Sequence, residues 1–199
     1  VSESGAKFVE QFADESGQAL KEFVERDLDN IVELGRLVVK RLESGGKIVF
    51  FGNGGSAADA QHLATEFVGR CFCERGPLAA IALTTDTSCL TAIANDYGYD
   101  EIFARQVDAL VNNGDVAVGI STSGNSPNVL KGLEAAKRRG AATVGFTGCD
   151  GGRMTKLCNL SFLAPSQSTQ ITQQIHITLG HILVGLVEKA LFMPEGEIG

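Results

Sequence analysis

The chain predicts an α/β fold: a three-layer αβα sandwich with a central five-stranded parallel sheet, preceded by two helices. Three observations carry this. Five short apolar runs, 47–51, 79–83, 115–120, 141–146 and 160–164, alternate with longer segments of helical period. Two of those runs end in turns dense in glycine, serine and asparagine that lead straight into a helix. The runs are also mostly apolar rather than alternating, as strands covered on both faces are.

The elements follow in order. Segments 8–23 and 28–42 place Phe8, Val9 and Phe12, then Leu28, Val32, Leu34, Val38 and Val39, at helical spacings, with a break expected within 26–30. These two helices, within residues 1–44, form an extension that covers the core or meets another subunit. Ser44 to Gly46 closes the second helix. Helices are then expected over 56–69, 88–94, 101–110 and 126–139, in a short stretch near 152–157, and over 169–191. The last carries Ile175, Leu179, Ile182, Leu183, Leu186 and Val187, a pattern of broad burial or of a subunit face. With 44% hydrophobic residues, 199 residues suffice for one substantial core and are few for two, so residues 1–199 read as a single domain.

Composition excludes some partners. Seventeen basic residues against 24 acidic ones give a net charge of −7, and no Lys/Arg block resembles a nucleic-acid surface. Lys137, Arg138 and Arg139 end a helix, where cations favour the dipole. Five cysteines, at 71, 73, 89, 149 and 158, form no disulfide framework and have no zinc-site spacing, which suits a reducing compartment. Neither a leader pattern nor an uninterrupted membrane-spanning stretch is expected, so the default is a cytoplasmic protein with no membrane partner.

The chemistry concentrates in a few stretches. After the first strand, Gly52, Asn53, Gly54 and Gly55 make a turn whose backbone can approach a ligand closely. Ser56 is expected to cap the helix that follows, with Asp59 at the third helical position. His62 and Glu66 then lie one turn apart on one helix face, an imidazole and an acid beside a turn suited to anions. Arg70 is placed to pair with Glu66 or to reach an anionic ligand. After the third strand, Ser121, Thr122, Ser123 and Ser126 surround Gly124, and Pro127 follows Ser126 as a first helical residue follows its cap. Neutral hydroxyls and free amides there suit a phosphate. Asn95 and Asp96 precede an aromatic turn and offer groups for sugar hydroxyls. The glycine spacing at 52, 54 and 55 is not that of a dinucleotide fingerprint, and no Walker lysine is present, so no nucleotide cofactor is expected.

Taken together, NGGSAADAQHLATE, NDYGYDEIF, ISTSGNSPNV and the stretch Gln173–His181 resemble the sedoheptulose-7-phosphate (phosphoheptose) isomerases, within the SIS group of phosphosugar-binding folds. The likeness covers almost the whole chain. It implies an aldose–ketose isomerase that converts D-sedoheptulose 7-phosphate to D-glycero-D-manno-heptose 7-phosphate through a cis-enediol. That is the first step of bacterial ADP- or GDP-heptose formation for lipopolysaccharide and related glycoconjugates. It also implies a homotetramer with sites near subunit interfaces.

By the same resemblance Glu66 is the catalytic base and His181 its acid partner. Asn53, Gly54, Gly55, Asn95, Asp96, Ser121, Thr122, Ser123, Ser126 and Gln173, together with Glu66, contact the substrate. One Zn²⁺ per subunit is implied on His62, Glu66, Gln173 and His181, although eight helical residues, about 12 Å along a regular axis, separate the last two. The run Ile171, Thr172, Gln173, Gln174 departs from the family's usual arginine and glutamate. A rival reading is a noncatalytic SIS protein that binds a bacterial replication initiator.

Overall fold

The computed structural model describes residues 3–193, so both ends of the expected 1–199 domain lie outside the described residues. The chain opens with α1 (Glu3–Glu43), then β1 (Ile48–Gly52), α2 (Gly55–Val68), β2 (Ala80–Ala82), α3 (Thr87–Tyr97), α4 (Ile102–Leu110) and β3 (Val116–Ser121). It continues with α5 (Pro127–Arg138), β4 (Ala142–Gly148), β5 (Leu160–Ala164) and α6 (Thr169–Phe192). The five strands pair in parallel in the order β2-β1-β3-β4-β5. The short helix expected near 152–157 is a single 3₁₀ turn, Met154–Lys156.

The sandwich forms because successive residues of the central strands point to opposite faces. On β1, Phe50 joins Phe67, Ile120, Phe146 and Leu183 beneath α1, α2 and α6. Its neighbours Val49 and Phe51 join Phe103, Val107, Val129 and Leu133 beneath α4 and α5. Each fully buried residue of this size contributes about 1.5–3 kcal/mol.

Two expectations change. The two leading helices are one helix of 41 residues, with no break at 26–30. Phe23, Asp27, Ile31, Leu34 and Val38 form one buried stripe through that point, and residues 26–30 contain no glycine or proline. The polar Arg26 and Asp27 are accommodated there: Arg26 bonds Asp27 and also donates to the Leu163 carbonyl on β5. The second change concerns α6, which by length and hydropathy alone qualifies as a membrane span. Ten of its residues, among them Ile175, Leu179, Leu183 and Val187, are buried, several of them within the core beneath α1 and α2.

His176, on the same helix, is fully buried; its Nε2 bonds the Thr147 carbonyl at 2.9 Å, and its Nδ1 has no partner. Burial lowers its pKa to about 4, only partly opposed by the Thr147 bond. Below about pH 6.5 the unfolded chain therefore takes up a proton that the folded chain refuses, and stability falls until about pH 4. The loss from this residue should total roughly 3 kcal/mol. Denaturant titrations of the wild type and His176→Gln across pH 7 to 4 should show a shallower decline in the variant. Parallel curves would refute the assignment.

Candidate active site

The strand order reverses direction between β1 and β3, and in open parallel sheets the crevice outside the strand ends at such a point receives ligands. Gly52 pairs with Ile120 across that junction, so the turn at 53–55 and the loop at 122–126 emerge side by side. A reciprocal amide pair fastens them: Asn53 Nδ2 donates to Asn128 Oδ1, and Asn128 Nδ2 donates to Asn53 Oδ1, both at 2.8 Å. The Tyr99 hydroxyl also donates to Asn53 Oδ1, at 3.2 Å, which brings the segment after Asn95 and Asp96 to the rim.

From the first turn, α2 runs alongside α6. Gly55 lies where a Cβ would overlap the Gln173 side chain, and Gly180 lies where a Cβ would overlap Leu63. These two glycines let the helices approach more closely than side chains would allow. The approach sets His62 Nε2 at 2.9 Å from His181 Nε2 and at 3.4 Å from Glu66 Oε1. His62 is half exposed, whereas the Glu66 side chain is mostly covered. Among the described residues, His62, Glu66 and His181 form a group whose ligand atoms all lie within 4.8 Å of one another. Bonds of about 2.0–2.1 Å in a tetrahedral shell would separate ligand atoms by about 3.3 Å, so the donor set and its spacing fit a zinc ion. Gln173 sits about two turns earlier on the unbroken α6, against Gly55.

The second loop is built as a cradle. Ser126 occupies the cap position of α5 and Pro127 follows, as expected, but the Ser126 hydroxyl does not cap. It bonds the Ser121 hydroxyl at 2.9 Å instead. Gly124, at φ +62°, turns the chain back so that its amide reaches the Ser121 carbonyl. Thr122 and Ser123 line a cavity of about 460 Å³ with Cys149, Asp150, Ser166, Gln167, Thr169 and Thr172.

The SIS domain model matches residues 11–148. A phosphoheptose isomerase of Aquifex aeolicus is 54% identical over 175 residues, covering 88% of this chain and 92% of the relative. The chain belongs to the phosphoheptose isomerase family, within the SIS domains. Two solved phosphoheptose isomerases superpose closely. That of Neisseria gonorrhoeae has a TM-score of 0.87 and 42% identity, with 92% of this chain and 98% of that one covered. That of Francisella tularensis has a TM-score of 0.89 and 33% identity, with 93% and 98% covered. Membership makes the chain an aldose–ketose isomerase, and the reading as a noncatalytic replication partner is not favoured.

Several local expectations are corrected. Ser56 is not the cap of α2: the helix starts at Gly55, and Gly54, at φ +56°, is the cap without any side-chain bond. A left-handed glycine carries the chain into the helix early, leaving Ser56 buried inside it. Asp59 therefore makes no capping box. Its Oδ2 is buried without a partner, and burial raises its pKa to about 6 against the opposing pull of His62. Arg70 pairs with Glu74 at 3.1 Å rather than with Glu66. Asn95 and Asp96 bond each other and are exposed. Asn128 escaped sequence reasoning, and only an amide at the apolar start of α5 hinted at it. The clearest omission is the buried pair Arg75 and Glu188.

Proposed function

We propose that this isomerase interconverts D-sedoheptulose 7-phosphate and D-glycero-D-manno-heptose 7-phosphate, with Glu66 as the base that moves the carbon-bound proton. The convergence of Glu66, His62 and His181 where α2 meets α6 is the observation that carries the reading. The phosphate is assigned to the cradle of Ser121, Thr122, Ser123 and Ser126. Hydroxyls and amides there offer neutral donors, and no partnering lysine is needed. Asn53, Gly54, Gly55 and Gln173 are assigned to the sugar, with Asn95 and Asp96 at its rim.

In the ketose-to-aldose direction Glu66 takes a proton from C1, beside the C2 carbonyl, and the electron pair forms the cis-enediol. Return of the proton to C2 leaves C1 as the aldehyde: C1 is oxidised, C2 is reduced, and no external electron carrier enters. The accompanying proton passes from O1 to O2, and His181 is assigned to that transfer. Holding both reacting carbons against one carboxylate supplies the orientation such a step requires. His62, Glu66 and His181 would hold a zinc ion, which when bound would polarise the substrate oxygens; Gln173, implied as a fourth ligand by family resemblance, lies apart from them beside Gly55. Glu66 has two oxygens, so ligation leaves a second one to accept the proton.

Glu66→Gln keeps the shape and removes the basic carboxylate. Its turnover should fall at least 10²–10⁴-fold, the range of general-base catalysis, while calorimetry still detects the sugar phosphate. Exchange of the transferred proton with deuterated solvent should disappear with turnover. Near-normal isomerisation by the folded variant would reject Glu66 as the base.

The metal has its own test. Protein purified without chelator should carry about one zinc per chain, seen by anomalous scattering at the zinc edge beside His62 and Glu66. Full activity after exhaustive chelation, with no such signal, would rule the ion out.

A homotetramer in which α1 contributes both core cover and a subunit face accounts for Phe8 and Val9, each about two-thirds exposed on a single chain. The free thiols among the described residues accord with a reducing cytoplasm. Light scattering at micromolar concentration should give the mass of four chains. A monomer mass would overturn the assembly.

A further inference from the structure

Glu66 stands in the last turn of α2, which ends at Val68. Helix ends leave carbonyls without intrahelical donors and open readily, so a catalytic group placed there needs an external hold. Arg75 supplies it. Its Nη2 donates to the Glu66 carbonyl at 2.8 Å, and its Nη1 donates to the carbonyls of Phe67 at 2.8 Å and Gly69 at 3.1 Å. Its Nε donates to Glu188 Oε1 on α6 at 2.8 Å, and both side chains are fully buried.

Glu188 completes the bracket. Its two oxygens accept the backbone amides of Cys71, Phe72 and Cys73 at 2.7–3.1 Å, so the segment after α2 is nested on α6. Burial alone would raise its pKa. The amides of Cys71 and Phe72 and the Arg75 guanidinium outweigh that and hold it below the usual carboxylate range. Glu188 lies seven residues after His181, on the same face of α6 and about two turns on. A single buried ion pair therefore ties the helix end bearing Glu66 to the helix bearing His181.

We propose that Arg75 and Glu188 are positioning residues that hold Glu66 in register with His181, touching neither substrate nor metal themselves. The proposal rests on the assignment of Glu66 and His181 to the chemistry. Loss of turnover in Glu66→Gln beside full turnover in the Arg75 variants would sink this inference alone. Full turnover in Glu66→Gln would sink the assignment itself.

Arg75→Lys keeps the charge beside Glu188 and loses the fork that spans the carbonyls of Glu66, Phe67, Gly69 and Gly76. With sedoheptulose 7-phosphate as the probe, kcat should fall about 10- to 100-fold, the effect of roughly an ångström of misplacement. KM should stay within about twofold, because the hydroxyl cradle at the end of β3 is untouched. The double variant Arg75→Met, Glu188→Gln leaves no buried charge unpaired and keeps a side-chain oxygen at 188 to accept the amides of 71–73, so it should recover much of the thermal stability. A positioning role keeps its kcat low, whereas a merely structural role restores kcat along with Tm. A third readout needs no variant: in the wild-type protein the amides of Phe67, Val68 and Gly69 should exchange with solvent as slowly as those of Ala60 to Ala64. Turnover within about twofold of wild type in either folded variant would overturn the proposal, as would loop-like exchange at Phe67–Gly69.

Discussion

The close approach of α2 to α6 is the constraint on which the site depends. Neither helix is held there by the sheet alone. Leu63 packs onto the backbone at Gly180, and Gln173 packs onto the backbone at Gly55, so contact occurs at main-chain distance at two levels. Apolar burial of Leu63, Phe67, Leu179 and Leu183 supplies the driving force, and the glycines set how far it proceeds. This packing brings His62 and His181 face to face. The polar chemistry of the site is thus a by-product of apolar contacts one residue away on each helix.

The other half of the site depends on topology. A parallel sheet whose chain leaves β1 in one direction and returns to β3 on the other side opens a crevice at that junction. Two glycine-rich turns border it; the Ser121–Ser126 bond stiffens the second, and the Asn53–Asn128 pair ties the first to the start of α5. The Ser121–Ser126 bond fixes the direction of both hydroxyls, so the anion site proposed there would need little reordering.

Much of this was legible in the sequence. Each strand lies within two residues of its expected place because its apolar run is short and clearly bounded in most cases, by Lys47 before β1, Asp115 before β3, Gly140 before β4, and Asn159 and Pro165 around β5. His62 and Glu66 could be paired because an i, i+4 relation is local. His181 and Gln173 needed family resemblance, since nothing local ties them to α2. What failed was also instructive. A polar patch at 26–30 looked like a break, but a buried stripe running through Asp27 overrode it. Arg70 looked closer to Glu66 by spacing than Arg75, yet only Arg75 has a buried partner, and that partner lies 113 residues away. The one sign in the sequence was Glu188, a lone acid among Leu186, Val187, Ala190 and Leu191. An acid in such a run needs a buried cation, but sequence alone does not say which one.

The doubled amide bond between Asn53 and Asn128 has a further bearing on selectivity. It joins the turn that leads into the helix of Glu66 to the first residues of the helix behind the hydroxyl cradle, so the two cannot drift apart independently. Under the proposed assignment of the sugar to the turn and the phosphate to the cradle, the pair fixes the span between the two. Such a site would work as a caliper, discriminating by chain length before any single hydroxyl is read.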